Sequence, residues 1–411
     1  MRSLLYRCCF ALCLASSAVA QDHQAWIFTG DPRSDPALGR VTTAGVVTTL
    51  LPRAYFYSAS PGFAVDLDDR SYVLANPNTR GLLIVDAKGT VIKSVGLPGS
   101  GGVQDVVLNA AGDYAVLAWL PGGGGILEVD RRTYAVKTLW FGSQFGTACG
   151  FLRDADTGDF IAVKGAPVEL LRIAEDGSSI SSIATLTIGR TGQIAQDLGT
   201  GAFMSLVYPY PPSNWCPLYA VSSRGRVTTI SGVPMGDVAA ADRATSRHPR
   251  VVLATFSGLN FYSHHTQIVT PFARLNGMVT HLQPEASRNV ATEARGPGRW
   301  VVRFDFPGEA RRAYAAALSF SGIRPGLRLP DGRSMLFNPD AISVASLLGH
   351  LAPYYLGQVG ILDAQGRGQA VLDVSRLPPL RGVSIWIQAL TMHPAAPLGL
   401  ATIADPVQLT L

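Results

Sequence analysis

Six side chains with acid, base or amide chemistry fall on what read as the innermost β-strands of a repeat: Gln104, Asp105, Gln196, Asp197, Asp237 and His281. An Asp237–His281 pair can carry a proton to and from a reacting group, and a set of carboxylates and amides can hold a divalent ion. The plainer reading of the same residues is a hydrated polar channel lining. "DADTGD" (Asp154 to Asp159) opens like a calcium loop, yet Gly165 stands where that loop needs a glutamate. His264 and His265 are adjacent on a turn, and neighbouring residues of a strand point to opposite faces. No GxSxG elbow, HExxH pair or phosphate-binding loop occurs. The other chemical group is aromatic: Tyr55, Phe56, Tyr57, Trp140, Phe141, Phe145, Tyr208, Tyr210 and Trp215. Flat rings at a wet rim suit sugars, peptides or another protein, while loop packing is the bland alternative.

The elements that position these residues repeat. The segments between turns are short and β-branched, as in "SYVLA", "LLIVD", "FIAVK" and "VVLAT", and the 43 glycines and 27 prolines disfavour long helices. A hairpin turn recurs near Gly45, Gly89, Tyr134, Gly177, Gly225 and Thr266, at intervals of 41 to 48 residues. A second marker keeps step with it: Trp26, Tyr72, Tyr114, Phe160, Phe203 and Val251 each open a strand. Two markers with one period of about 40–50 residues, four strands to each, predict a six-bladed β-propeller. The first repeat lacks an inner strand, and Met278 to Leu282 is expected to supply it, closing the ring and removing a sheet edge. Strand alternation then gathers the aromatic loops at one mouth and the short Asp, Arg and Gly turns at the other.

The period and blade count resemble six-bladed propellers of the streptogramin-lyase, gluconolactonase and NHL type, over about residues 21–285. For the lactonase branch the resemblance implies a channel metal held by carboxylate and amide side chains. The inner-strand residues named above do not reproduce that set one for one. Beyond Asn289 the period fails, and "RWVVRFDF", "AYAAALSF", "GQAVLDV" and "GVSIWIQALTM" read as strands of a separate β-sandwich, residues 289–411. "LPDGR", "GILDAQGRGQAVLDV" and "IWIQAL" resemble a C-terminal module of exported bacterial propeller proteins.

Residues 1–20 read as a signal peptide, with Arg2 and Arg7 before an apolar run and "AVA" before a cleavage point after Ala20. A secreted, periplasmic or cell-surface protein follows, with residues 21–288 as the propeller. No transmembrane segment is expected. The net charge of +5 includes both signal arginines, and the basic residues are scattered, which argues against nucleic acid. Cys149 and Cys216 are left after cleavage, on neighbouring repeats and towards one face. A bridge needs Cα atoms within roughly 7 Å, hence an inward-folded "YPYPPSNWCP" loop; two free thiols are the alternative. The sequence favours a non-enzymatic, all-β protein that uses no cofactor. Its expected partner is a carbohydrate, peptide or envelope protein, held at an aromatic face of Tyr55, Tyr57, Trp140, Phe141, Tyr208, Tyr210 and Trp215. The alternative is a metal-dependent lyase or lactone hydrolase working in the channel at Gln104, Asp105, Asp237 and His281.

Overall fold

The computed structural model describes residues 25–411 apart from 31–37, 43–45, 53–61, 68, 77–78, 98, 144–147, 166, 187–188, 198–199, 210–214, 235, 242–250, 256–257, 264–267, 274–278, 285–288, 324–325, 331–332 and 376–382. Within it, some strand residues have a described backbone only, among them Cys149, Tyr208, Trp215, Cys216, Asp237 and His281.

Six four-stranded antiparallel sheets follow one another from Ala25 to Pro284. The second runs in simple order through Phe63–Asp66, Ser71–Asn76, Gly81–Val85 and Val91–Gly96. The next three likewise begin with inner strands Gly102–Leu108, Ala148–Arg153 and Gly189–Gln196, and the sixth begins with Gly236–Ala241. The first sheet is built differently. Its inner strand is Val279–Pro284, which pairs with Ala25–Gly30 so that Phe28 faces Leu282 and Trp26 faces Pro284. The six inner strands touch in cyclic order, and the closing strand touches both the sixth and the second sheet. Met278, expected in the closing strand, lies outside the described residues.

The cores lie between sheets. Val73, Ala75, Leu82 and Ile84 of the second sheet pack with Val103, Val116 and Leu127 of the third. Tyr72, Leu74 and Leu83, one residue out of phase, pack instead with Ile27, Leu38 and Leu51 of the first. A middle strand covered on both faces has no polar side to show, so Ser71–Asn76 and Gly81–Val85 are buried throughout. The outermost strand Val91–Gly96 has a neighbour on one edge only and is mostly exposed.

From Val290 onwards two further sheets share one core. Val302, Phe304, Ala370 and Leu372 come from one, and Tyr314, Ala316, Leu318, Ile385 and Ile387 from the other. A short helix, Ala341–Leu347, begins at Asp340, whose carboxylate accepts the Ser343 N–H at 2.7 Å. Burial opposes ionisation of Asp340, but hydrogen bonds from Ser343, Phe320 and Ser321 outweigh it and hold the carboxyl at about 2. No helix among the described residues is long and apolar enough to cross a membrane.

Candidate binding face

Loops between second and third strands share a face with the connections between sheets, and a cleft opens there among the described residues. It has a volume of about 560 Å³ and is lined by Arg80, Gly99, Ser100, Gly101, Trp119, Leu120 and Pro121. Three segments meet in it: the second sheet's central loop, its connection to the third sheet, and the third sheet's central loop. They are tied by backbone. The Gly101 N–H donates to the Trp119 carbonyl at 2.6 Å and the Leu97 N–H to the Arg80 carbonyl at 3.2 Å. The Ser100 hydroxyl lies 2.9 Å from both the Arg80 and Leu97 carbonyls.

Trp119 forms the wall and is 40% exposed. Part of the reason is local: its ladder partners are Gly102 on one side and Gly124 on the other, and neither contributes a side chain beside the indole. Gly99, at φ +73°, has open space where a Cβ would stand. Phe141, 49% exposed, sits beyond the tip of the same loop, 3.6 Å from where a Cβ on Gly122 would be. Trp119 is not among the loop aromatics expected from the sequence; it ends a strand, "YAVLAWL". The signal was the Leu-Pro-Gly-Gly after it, which carries the strand's last residues out to the mouth.

The other expected aromatic residues divide. Trp140 does not stand free at the rim. It packs against the core formed by Leu117, Ile126, Phe151 and Phe160, and its ring fills the space that a side chain on Gly142 would need. Tyr55, Phe56, Tyr57, Phe145 and Tyr210 lie outside the described residues. Tyr208 and Trp215 lie on Phe203–Pro209 and Trp215–Val221, with side chains outside the described set, as are those of Cys149 and Cys216.

Towards the channel, Gln104 is half-buried, whereas Asp105 is 2% exposed and wedged where Gly62 lacks a side chain. Burial pushes the Asp105 carboxyl up to about 8, against the lowering effect of the Val106 and Phe151 N–H groups. Its Oδ1 accepts the Val106 N–H at 2.9 Å, and its Oδ2 has no partner among the described residues. A group so enclosed holds a proton at neutral pH and cannot reach a ligand in the channel. Asp237 and His281 lie on the inner strands Gly236–Ala241 and Val279–Pro284, with side chains outside the described set. Gln193 carries no signal in residue order alone; it is buried and accepts the Leu282 N–H at 3.0 Å, tying the fifth inner strand to the closing one.

The opposite face consumes its charges in ties between sheets. Gln196 donates to Asp154 at 2.7 Å and accepts the Ala155 N–H at 2.7 Å, and Arg172 reaches Asp154 at 3.3 Å. "DADTGD" is thus a turn with its first carboxylate engaged. The Thr200 hydroxyl donates to Asp197 at 2.9 Å across another turn. Arg131 of the third sheet bridges Asp66 and Asp69 of the second, each at 3.1 Å. Among the described residues no three His, Cys, Asp or Glu side chains are grouped to hold a metal ion. The C-terminal sheets pack on this face: Arg328 meets Asp156 at 3.0 Å, and a cleft of about 710 Å³ separates Asp113 and Arg132 from Ser384, Trp386 and Gln408.

No protein-family model matches the chain, and no curated protein does. Solved structures do. A chain of the nidogen–laminin complex is 9% identical, over 64% of this chain and 99% of that one, with a TM-score of 0.51. This chain is a β-propeller. TolB from Acinetobacter baumannii is 18% identical over 65% of this chain and 67% of its own, TM-score 0.48. Virginiamycin B lyase from Staphylococcus aureus is 11% identical over 76% and 94%, TM-score 0.41. At 9% identity the likeness to the nidogen–laminin chain speaks for the fold alone, since one scaffold hosts many functions.

Proposed function

We propose that the protein is an exported, non-enzymatic propeller that binds a ligand through its aromatic face, with the cleft at Trp119 as the described part of that site. The observation that carries this reading is the exposed indole beside a glycine-lined floor, on the face that the C-terminal sheets leave uncovered. An open aromatic ring offers a stacking surface to the C–H face of a sugar, while bare backbone and the Arg80 side chain offer hydrogen bonds to its hydroxyls. Carbohydrate therefore fits first, ahead of a peptide or an envelope protein.

The test is a glycan and peptide array on the protein with and without EDTA, followed by titration of the Trp119→Ala variant. Loss of a stacked anchor removes about 2 kcal/mol or more, a tens-fold weakening, with little change in melting temperature. Metal-dependent turnover of a lactone or lyase substrate that survives Trp119→Ala would instead place the activity in the channel and overturn this reading.

A further inference from the structure

We propose that two copies of the chain join along the edge strand Val359–Ile361 of the C-terminal sheets, flanked by the helix Ala341–Leu347. The segment 341–362 is built inside out. Ser343, Ser346 and Gln358 are buried, while Val344, Leu348 and Ile361 are 54%, 63% and 73% exposed. Leu347, Leu356 and Val359 are exposed as well. A soluble surface rarely gathers so many aliphatic side chains while hiding the polar ones between them. No Asp, Glu, Lys or Arg occurs anywhere in 341–362.

The helix and the strand lie along the same edge. Both pack on the strand Ala313–Ser319: Ser346 accepts the Leu318 N–H at 3.1 Å, and Val359–Ile361 pairs with Ala313–Ala315. The Ala316 N–H donates to the Gln358 carbonyl and the Leu362 N–H to the Arg312 carbonyl. Positions 358, 360 and 362 therefore bond inwards, and the N–H and C=O groups of Val359 and Ile361 point away from the sheet. They have no partner among the described residues.

That open ladder decides between occupants. Hydrocarbon would cover the leucines but leave these backbone groups unsatisfied, at several kcal/mol for each. A second β-strand satisfies them. A second copy of this strand fits without adjustment. With Gly360 on a two-fold axis, Val359 of each copy stands opposite Ile361 of the other, and each such pair exchanges two ladder bonds. Gly360 presents no side chain at the axis; a Cβ there would meet the Tyr314 ring and hydroxyl, at about 3 Å. The absence of charge matters for the same reason. A charged residue beside a two-fold axis confronts its own copy, and this chain already carries a net charge of +5.

Sedimentation velocity on the protein, under reducing conditions to exclude bridging through cysteines, tests the proposal. The expected result is a species of twice the monomer mass. Ile361→Lys should return it to monomer with an unchanged melting temperature, because that side chain makes little contact within the chain. If the lysine variant melts lower, Ile361→Ser provides the same readout with a gentler change. A monomeric wild type, or dimers that survive both substitutions, would overturn the proposal. So would a monomer that floats with phosphatidylcholine vesicles, which would make the wall a lipid-contacting surface. The outcome is independent of whether Trp119 binds a ligand.

Discussion

Two tryptophans of the third sheet show how position, not residue type, assigns a role. Trp119 is paired with glycines and 40% exposed, whereas Trp140 is half-buried against the core cluster that contains Phe151 and Phe160. Trp140→Ala is expected to lower stability by about 1–3 kcal/mol, and Trp119→Ala to lower it by less; thermal melts of the two variants decide. Asp105 makes a different kind of prediction. Its carboxyl titrates near 8 in the folded chain and near 4 when unfolded. Between those values the folded form holds a proton that the unfolded form has released, so stability falls as pH rises from about 4 to about 8. Asp105→Asn mimics the neutral carboxyl. The variant should match the wild type at pH 4 and melt distinctly higher at pH 8; equal gaps at both pH values would show that Asp105 is ionised in the fold.

At the scale of the element, the recurring hairpin turn is the device that spaces the blades. Gly89, Gly177 and Gly225 have φ of +91°, +76° and +82°, and each is set against the outer strand of the preceding blade. A Cβ on them would overlap the carbonyl oxygens of Leu50, Leu139 and Ile183, respectively. The equivalent residue of the third blade is Tyr134, at φ +58°, and there Lys93 of the preceding blade lies 5.3 Å from the ring centre. Gly177→Val should therefore cost more than the 1–2 kcal/mol of a left-handed backbone alone, since the blade beneath must also shift. A drop in melting temperature no larger than that of an exposed-turn substitution would refute this spacing role. The period was visible in the sequence because turn chemistry is local. The contact with the preceding blade was not, because Gly177 and Leu139 are far apart along the chain.

For the whole molecule, closure is the cooperative event. Trp26 and Leu282 are fully buried although most of the chain separates them, and the Gln193 amide adds a tie from across the ring. Deleting residues 279–284 exposes the edge of Ala25–Gly30 and removes the inner strand that the second and sixth sheets rest on. The deletion should yield aggregated protein by light scattering, whereas a soluble product with wild-type circular dichroism would show that the ring does not depend on this clasp. The C-terminal sheets meet the propeller at Arg328–Asp156 and Arg70–Val290, away from both the Trp119 cleft and the uncharged wall at 341–362.

The all-β class, the strand period and the strand that closes the ring were all legible in residue order. Each of these rests on residue patterns within a few tens of positions or on a register that the hydrophobic alternation specifies. How far each ring and each acid is buried depended on the folded neighbours. Trp140, expected at the rim, is half-buried against a core cluster shared with the next blade. Asp105 looked like a channel group until its place beside Gly62 enclosed it. The same holds for Val359 and Ile361, whose strand could be named from its residues but whose exposed edge depends on which strands pair beside it. Burial is a property of neighbours brought from elsewhere in the chain, and the order of residues along a strand does not contain them.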